Sequence, residues 1–251
     1  MKIAAWNVNS LTARWPRVED FLSTRDVDVV LVQETKQTDA KFPFQQLEAL
    51  GYESAHHGQG QWNGVAIFSR VGLTDVVRGL YDDEEARFIG ATCGDLRVFS
   101  CYVPNGRSLD NPHYAFKLRW LDELRRYLRD EASGAPVVVG GDFNVAPADL
   151  DVYDPHVFEG ATHVSEPERE RLRAIEALGY FDATRHAHPD DPCFSWWDYR
   201  NGSFRRGWGL RIDLLFCSND LQPRLVDSWV DRDTRKGEKP SDHAPVFVEL
   251  A

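Results

Sequence analysis

Carboxylate and amide side chains follow two strongly apolar runs of this chain. Glu34 comes directly after residues 27–33 (VDVVLVQ), while Asp142 and Asn144 follow the run 137–139 (VVV) within the segment Gly-Gly-Asp-Phe-Asn. A polar residue at the end of a buried strand lies at the edge of its sheet. Glu34 could coordinate a hard cation such as Mg²⁺ there. Asp142 and Asn144, two positions apart in extended chain, project the same way and could position or deprotonate a water.

Each of these motifs also has a purely structural explanation. Glu34 stands beside Thr35 and could be an acid at a helix N-terminus, which would be the better explanation in isolation. The sequence around Asp142 and Asn144 could form an Asx-turn. That alternative is weakened by the very apolar strand that precedes it.

An acid and a histidine predict a catalytic pair near the C-terminus. Asp213 interrupts the apolar stretch 210–216 (LRIDLLF), and His243 lies in the segment Ser-Asp-His-Ala beside Asp242. A buried carboxylate without a partner is costly. An Asp–His pair fixes the imidazole tautomer and raises its pKa, which would place a cation beside a phosphate. Tyr102, at the end of another strand, could donate to a phosphate oxygen, although tyrosines there are commonly only amphipathic covers.

The elements that must position these residues are short strands alternating with helices. Apolar runs predict strands at 3–6, 27–33, 64–69, 96–102, 136–140, 212–217 and 245–250. Helical patterns cover 15–25, 42–50, 113–131 and 166–178, two of them followed by glycine. We therefore expect an α/β fold with two packed mixed sheets flanked by helices, a four-layer α/β sandwich, although composition alone would not distinguish it from a doubly wound sheet.

Length and composition restrict the class of protein. A chain of 251 residues without a linker-like tract predicts one domain over 1–251. The first residues enter a strand pattern with no apolar leader, and no segment has membrane-spanning length, so we expect a cytoplasmic protein. Four cysteines without CxxC spacing indicate neither zinc nor disulfides.

The net charge of −11 argues at first against nucleic acid. However, four arginines are interleaved with five aromatic residues between 196 and 211, a mixture suited to gripping a nucleic-acid strand. Those residues are Arg200, Arg205, Arg206 and Arg211 with Trp196, Trp197, Tyr199, Phe204 and Trp208. A bound cation would also reverse the local sign of the acidic cluster.

Taken together, the motifs resemble the exonuclease III family of AP endonucleases, within the DNase I-like metal phosphodiesterases. The resemblance runs from WNVN (6–9) and QETK (33–36) through YVPNG (102–106) and GDFN (141–144) to SDHAP (241–245). The segments FSWWDYR (194–200) and LRID (210–213) are similar to the DNA-repair branch in particular. The loop 153–166 departs from the family pattern.

The resemblance implies roles for individual residues. Tyr102, Asp142, Asn144, Asp213 and His243 would be catalytic, with Asp213 orienting His243. The metal, Mg²⁺ with Mn²⁺ as a substitute, would be held among Asn7, Glu34, Asp142, Asn144, Asp242 and His243. Trp196, Trp197, Leu210 and Ile212 would wall a pocket for a base-free sugar. Lys36, Asn105, Arg200, Trp208 and Arg211 would complete the substrate surface.

The resemblance thus implies a Mg²⁺-dependent DNA repair nuclease. We expect it to act as a monomer and not to associate with a membrane. It would cleave duplex DNA 5′ to abasic sites and act at 3′ ends as an exonuclease, 3′-phosphatase and 3′-phosphodiesterase. Two alternatives remain open at this point. One is a phosphodiesterase of the same fold acting on a non-DNA substrate, and the other is a catalytically silent DNA-binding protein.

Overall fold

The computed structural model describes residues 1–132 and 134–251, which form two six-stranded sheets and their covering helices. The strands are β1 (Lys2–Asn7), β2 (Val29–Gln33), β3 (Glu53–His57), β4 (Val65–Ser69), β5 (Thr74–Arg78), β6 (Phe88–Cys93), β7 (Leu96–Tyr102), β8 (Val137–Asp142), β9 (Tyr180–Asp182), β10 (Asp213–Ser218), β11 (Leu225–Val230) and β12 (Val246–Leu250). The α-helices are α1 (Leu11–Thr24), α2 (Phe44–Ala49), α3 (Pro112–Asp130), α4 (Glu166–Glu176), α5 (Ala183–Ala187) and α6 (Ser203–Arg206).

Both sheets are mixed. The first has the strand order β11-β12-β1-β2-β4-β3, with β1 and β2 parallel. The second has the order β5-β6-β7-β8-β10-β9, with β7 and β8 parallel. The expected fold, two mixed sheets flanked by helices, is confirmed.

Apolar side chains form separate clusters between the layers. One cluster lies between the sheets and includes Ile3, Leu31, Val98 and Leu215. A second packs α3 and α4 on the outer face of one sheet, and a third packs α1 and α2 on the outer face of the other. Burial of apolar surface on both faces explains why the central strands are continuous apolar runs in the sequence.

Helix boundaries follow the capping residues. α1 begins at Leu11, earlier than expected, because the Ser10 side chain accepts a hydrogen bond from the Ala13 N–H. α3 starts at Pro112 after Asn111, whose side chain accepts from the His113 N–H. Within the described part of the chain, no helix combines the length and apolarity required to cross a bilayer.

Five strands and two short helices had no clear sequence signal: β3, β5, β6, β9, β11, α5 and α6. The residues of β5 are mostly exposed or half-buried, so they lack an apolar run. In β6 the run of large apolar residues is interrupted by the buried Gly90. A Cβ there would lie 2.4 Å from the Phe99 ring, so close packing explains the glycine that hides the strand pattern.

Candidate active site

Three neighbouring strands of one sheet bring the proposed catalytic residues side by side: β7 and β8 end there, and the antiparallel β10 begins there. Tyr102 of β7 is in register with Asp142 of β8, which is in register with Asp213 of β10. Gly141 precedes Asp142 with φ 148°, and a Cβ there would lie 2.0 Å from the Cys101 carbonyl oxygen. Only glycine therefore allows β8 to approach β7 so closely beside the site.

The other sheet contributes an amide and a carboxylate from β1 and β2. Asn7 is in register with Gln33, the residue before Glu34. The Asn7 Nδ2 donates to Glu34 Oε1 at 2.8 Å and to Asp142 Oδ2 at 2.9 Å. One buried amide thus joins a carboxylate from each sheet.

Glu34, Asp142 and His243 offer ligand atoms that all lie within 4.8 Å of one another. Burial raises the pKa of Asp142 to about 7, with Asp213 and Glu34 adding to the shift and the His243 cation opposing it. Two neighbouring carboxylates, with the Asn7 amide beside them, form an oxygen-rich group that fits a hard cation such as Mg²⁺. The donor set therefore fits the metal that the resemblance implies.

His243 is paired with Asp213. Its Nδ1 lies 2.9 Å from Asp213 Oδ2, which also accepts from the Ser195 hydroxyl at 2.6 Å. Burial alone would lower the pKa of His243, but the carboxylates of Asp213 and Asp142 outweigh burial and raise it to about 10. The ring is therefore a cation at neutral pH and suits a developing phosphate charge.

Lys36, Asn9 and Asp242 form a rim around the carboxylates. The Lys36 ammonium lies 2.7 Å from Glu34 Oε2 and donates to Asn9 Oδ1 at 2.6 Å. Asn9 Nδ2 in turn donates to Asp242 Oδ1 at 2.9 Å. The other oxygen of Asp242 accepts from the Trp196 indole at 3.1 Å. Asp242 is therefore held by an amide and an indole at the edge of the cluster.

Tyr102, Asn144 and Asn105 complete the polar wall. Burial, together with Glu34 and Asp142, raises the pKa of the Tyr102 phenol well above its usual range, so it remains a donor. The Asn144 backbone N–H donates to Asp142 Oδ1 at 2.9 Å, and Asn105 Nδ2 donates to Asn144 Oδ1 at 3.2 Å.

Tyr102, Asn105 and Asn144 line one small cavity of about 180 Å³ together with Glu34, Asp142, Asp242 and His243, and its apolar wall is formed by Trp196, Leu210 and Ile212. Trp196 pairs through backbone bridges with both Leu210 and His243. Pockets for drug-sized ligands are about 300–1,000 Å³. The cavity therefore has room for a sugar-phosphate unit and little more.

His163 also lines this cavity, and no sequence motif had pointed to it. It lies in the loop before α4 with φ 78°, and its Nδ1 is 2.5 Å from the Asn144 carbonyl oxygen. Burial lowers its pKa to about 4, so the ring is neutral and fits beside the cationic His243. A histidine in a loop without periodicity has no neighbouring motif that could have identified it.

Five predicted substrate residues lie outside the cavity lining, and one of them, Lys36, belongs to the rim described above. Trp197 is 1% exposed and packs edge-on against Phe204, so the structure corrects its placement from pocket wall to core. Adjacent residues of an extended segment point to opposite sides, and Trp196 takes the pocket side. Trp208 stacks on Tyr153 and lines a separate groove of about 930 Å³.

The two arginines are likewise engaged elsewhere. Arg211 is fully buried, with Nε 2.6 Å from Asp151 and Nη1 2.7 Å from Asp182. A side chain with no exposed surface cannot contact DNA here, so Arg211 is corrected to a structural ion pair. Arg200 is exposed and pairs with Asp198 at 2.7 Å.

Comparison with known proteins gives consistent results. Residues 4–243 match the model of the Endonuclease/Exonuclease/phosphatase family. Exodeoxyribonuclease III of Haemophilus influenzae is 34% identical over 266 residues, covering 100% of both chains. The 3′ phosphatase NExo from Neisseria, solved with a product DNA hairpin, has a TM-score of 0.98 at 41% identity, covering 100% of this chain and 99% of that one. An AP endonuclease from Archaeoglobus fulgidus has a TM-score of 0.97 at 35% identity, with the same coverage.

The match extends over nearly the whole chain and includes every element that carries the cavity. The curated relatives and the solved structures are nucleases or phosphatases of DNA. The chain therefore belongs to the endonuclease/exonuclease/phosphatase family and is a DNA repair nuclease of the exonuclease III type.

Proposed function

We propose that this nuclease hydrolyses phosphodiester bonds 5′ to abasic sites in duplex DNA and removes blocking groups from 3′ ends. The observation that carries the proposal is the small cavity, in which Glu34, Asp142 and His243 face the apolar wall of Trp196, Leu210 and Ile212. Such a wall accepts a sugar that has lost its base, and extrusion from the helix costs least where base pairing is already absent.

Glu34 and Asp142 would hold Mg²⁺, with Asn7 orienting both carboxylates and Mn²⁺ as a substitute. When bound, the ion supplies Lewis-acid polarisation and stabilises charge on the leaving oxygen. Asp142 would orient the attacking water and accept its proton. The His243 cation and the Tyr102 phenol donate to the phosphate oxygens, and the Asn144 amide helps to position the water.

The relatives support action at 3′ ends as well as at abasic sites. Solved structures of high similarity are described as a 3′ phosphatase, a 3′-5′ exonuclease and an AP endonuclease. These reactions break a P–O bond in the same position relative to the sugar, so one site could perform all of them. We also propose a cytoplasmic location and action as a monomer. All four cysteines are free thiols, as is usual in a reducing compartment.

The test is hydrolysis of three substrates by the purified protein, with and without Mg²⁺: a duplex containing one abasic analogue, a duplex ending in 3′-phosphate, and bis(p-nitrophenyl) phosphate. We expect Mg²⁺-dependent turnover of both duplexes and far slower hydrolysis of the small diester. Preference for the small diester would favour a non-DNA substrate. DNA binding without turnover in Mg²⁺ or Mn²⁺ would favour a silent DNA-binding protein.

A further inference from the structure

The backbone that carries Glu34 adopts an uncommon conformation. Glu34 and Lys36 have φ values of 53° and 51°, in the left-handed region that favours glycine. Such a conformation is unfavourable for a residue other than glycine and persists only where the surroundings enforce it. The segment Glu34-Thr35-Lys36 must therefore be held from outside.

Part of the restraint comes from the backbone. Ser10 N donates to the Glu34 carbonyl at 2.8 Å, and Thr35 N donates to the Gly64 carbonyl at 3.1 Å. These bonds tie the segment to the start of α1 on one side and to the start of β4 on the other. They do not fix the Thr35 side chain, which points away from the carboxylates into a buried polar group of its own.

That group contains Thr35, His56 and Asp39. Thr35 Oγ1 lies 2.8 Å from His56 Nε2, and both side chains are buried. The fit around the hydroxyl is tight, because a Cβ on Gly64 would lie 2.1 Å from Thr35 Oγ1. Phe42 stacks on the His56 ring with centroids 4.1 Å apart.

Asp39 reaches the other ring nitrogen. His56 Nδ1 lies 2.8 Å from Asp39 Oδ1, although the angle is outside that of a good hydrogen bond. The same oxygen accepts from the Gly58 N–H at 2.9 Å, which holds the carboxylate in place. An Nδ1–H facing Asp39 leaves Nε2 as an acceptor, so the Thr35 hydroxyl donates to it. Burial lowers the pKa of His56 to about 4, so the ring is neutral at pH 7 and Nε2 can act as that acceptor.

The connectivity Thr–His–Asp is that of a hydrolytic triad. Thr35, however, has no exposed surface, and no substrate atom could reach its hydroxyl. The three residues are therefore positioning residues rather than catalytic ones. Their direct effect is on the backbone between Glu34 and Lys36.

We propose that the Thr35–His56–Asp39 chain holds Glu34 in its left-handed conformation and thereby sets the affinity of the site for a divalent cation. The proposal rests on the proposed role of Glu34 as a metal ligand. Groups that orient a ligand from behind typically contribute 10–100-fold to metal affinity. The chain reaches the metal site from a surface carboxylate, Asp39, which no part of the proposed chemistry uses.

The first experiment compares Thr35→Val with Thr35→Ser. Valine removes the hydroxyl donor and serine keeps it, without a change of charge in either variant. Binding of Mn²⁺ is measured by electron paramagnetic resonance in the absence of DNA, and the melting temperature is measured in parallel. We expect Thr35→Val to weaken Mn²⁺ binding by about 10–100-fold and Thr35→Ser to remain near wild type. Equal affinities in folded Thr35→Val and wild type would overturn the proposal.

Further variants keep the test decisive if Thr35→Val does not fold. His56→Gln removes the imidazole without a change of charge at pH 7, and Asp39→Asn changes a side chain that is 58% exposed. Asp95→Asn is the matched control, because Asp95 is 59% exposed and lies in the turn directly before β7, at the end of that strand away from Tyr102. Weaker Mn²⁺ binding in His56→Gln and Asp39→Asn, but not in Asp95→Asn, supports the proposal, and unchanged binding in both refutes it.

Glu34→Gln separates this inference from the proposed function. Loss of Mn²⁺ binding in Glu34→Gln, with wild-type binding in the Thr35, His56 and Asp39 variants, would leave the metal site standing and reject the positioning chain. Wild-type binding in Glu34→Gln itself would reject Glu34 as a ligand and the positioning proposal with it, whereas the proposed hydrolysis of DNA is decided by the substrate test above.

Discussion

At the scale of single residues, Asp142 combines several features of a catalytic group. It accepts hydrogen bonds from Asn7 and from the Asn144 backbone, and its nearest cation, His243, has Nε2 3.8 Å from Oδ2. Enzymes commonly tune a general base toward neutral pH by burial and neighbouring charge. The burial that sets Asp142 apart from an ordinary surface aspartate also makes it a suitable proton acceptor.

We expect Glu34→Gln and Asp142→Asn each to lower cleavage of an abasic duplex by at least about 10²-fold while the protein stays folded. Each change removes a metal ligand or a base without altering packing volume. Turnover at saturating Mg²⁺ and circular dichroism provide the measurement. More than about a tenth of wild-type turnover in a folded variant would remove that residue from the mechanism.

His243 and Asp213 should behave as one unit, because their side chains are 2.9 Å apart and both are buried. Asp213→Asn weakens the cationic form of the imidazole, so it should act through His243. The double variant with His243→Asn should then be little worse than the more impaired single variant. The measurement is a double-mutant cycle in turnover number, and full additivity would contradict the pairing.

At the scale of elements, the segment 194–197 shows what a sequence motif leaves open. The consecutive tryptophans of FSWWDYR both suggest a pocket wall, and only the extended geometry separates them. Backbone bridges to Leu210 and His243 place Trp196 on the cavity, and Trp197 then falls on the core side. Residue types alone could not show which of two adjacent residues faces the cavity in a short extended segment outside a regular sheet.

Trp197→Ala should therefore destabilise the protein by about 3–5 kcal/mol, as expected for a large core side chain. Any loss of activity should be equal for the abasic duplex and for bis(p-nitrophenyl) phosphate. Trp196→Ala should leave the melting temperature nearly unchanged and weaken cleavage of the abasic duplex more. Thermal unfolding and the two assays distinguish these patterns. A stable Trp197→Ala variant that loses activity selectively on the abasic duplex would instead place Trp197 in the pocket wall.

The central strands were predictable because both of their faces are buried, which leaves long apolar runs such as 137–139 in the sequence. The edge strand β5 and the glycine-containing β6 were not, since exposure and close packing removed the pattern. The residues of the site divide in the same way into those that the sequence predicts and those that it does not. Residues that end central strands were found, and His163, in a loop of irregular sequence, was not.

At the scale of the whole molecule, buried neutral histidines make stability depend on pH. The pKa of His56 is lowered to about 4 in the folded chain, against about 6.5 when unfolded. Between these values the unfolded chain binds more protons, so stability falls as the pH decreases from about 6.5 to 4. The contribution is fully present above pH 6.5.

His56→Gln should consequently be less sensitive to acid than the wild type. The difference in unfolding free energy between the two proteins should shrink by up to about 3 kcal/mol between pH 7 and pH 4. Urea denaturation at several pH values measures this difference. A difference that is constant over the range would show that His56 titrates normally in the folded protein.

The amide of Asn7 joins Glu34, from the end of one sheet, to Asp142, at the end of the other. A cation bound between these carboxylates would cross-link the two sheets, and it would have to dissociate when the protein unfolds. Ligand that binds only the folded state adds about 2.7 kcal/mol of stability at about 100 times its Kd. We therefore expect Mg²⁺ to raise the melting temperature of wild type and leave that of Glu34→Gln unchanged. The concentration of the catalytic ion would then determine both the activity of the enzyme and the stability of its fold.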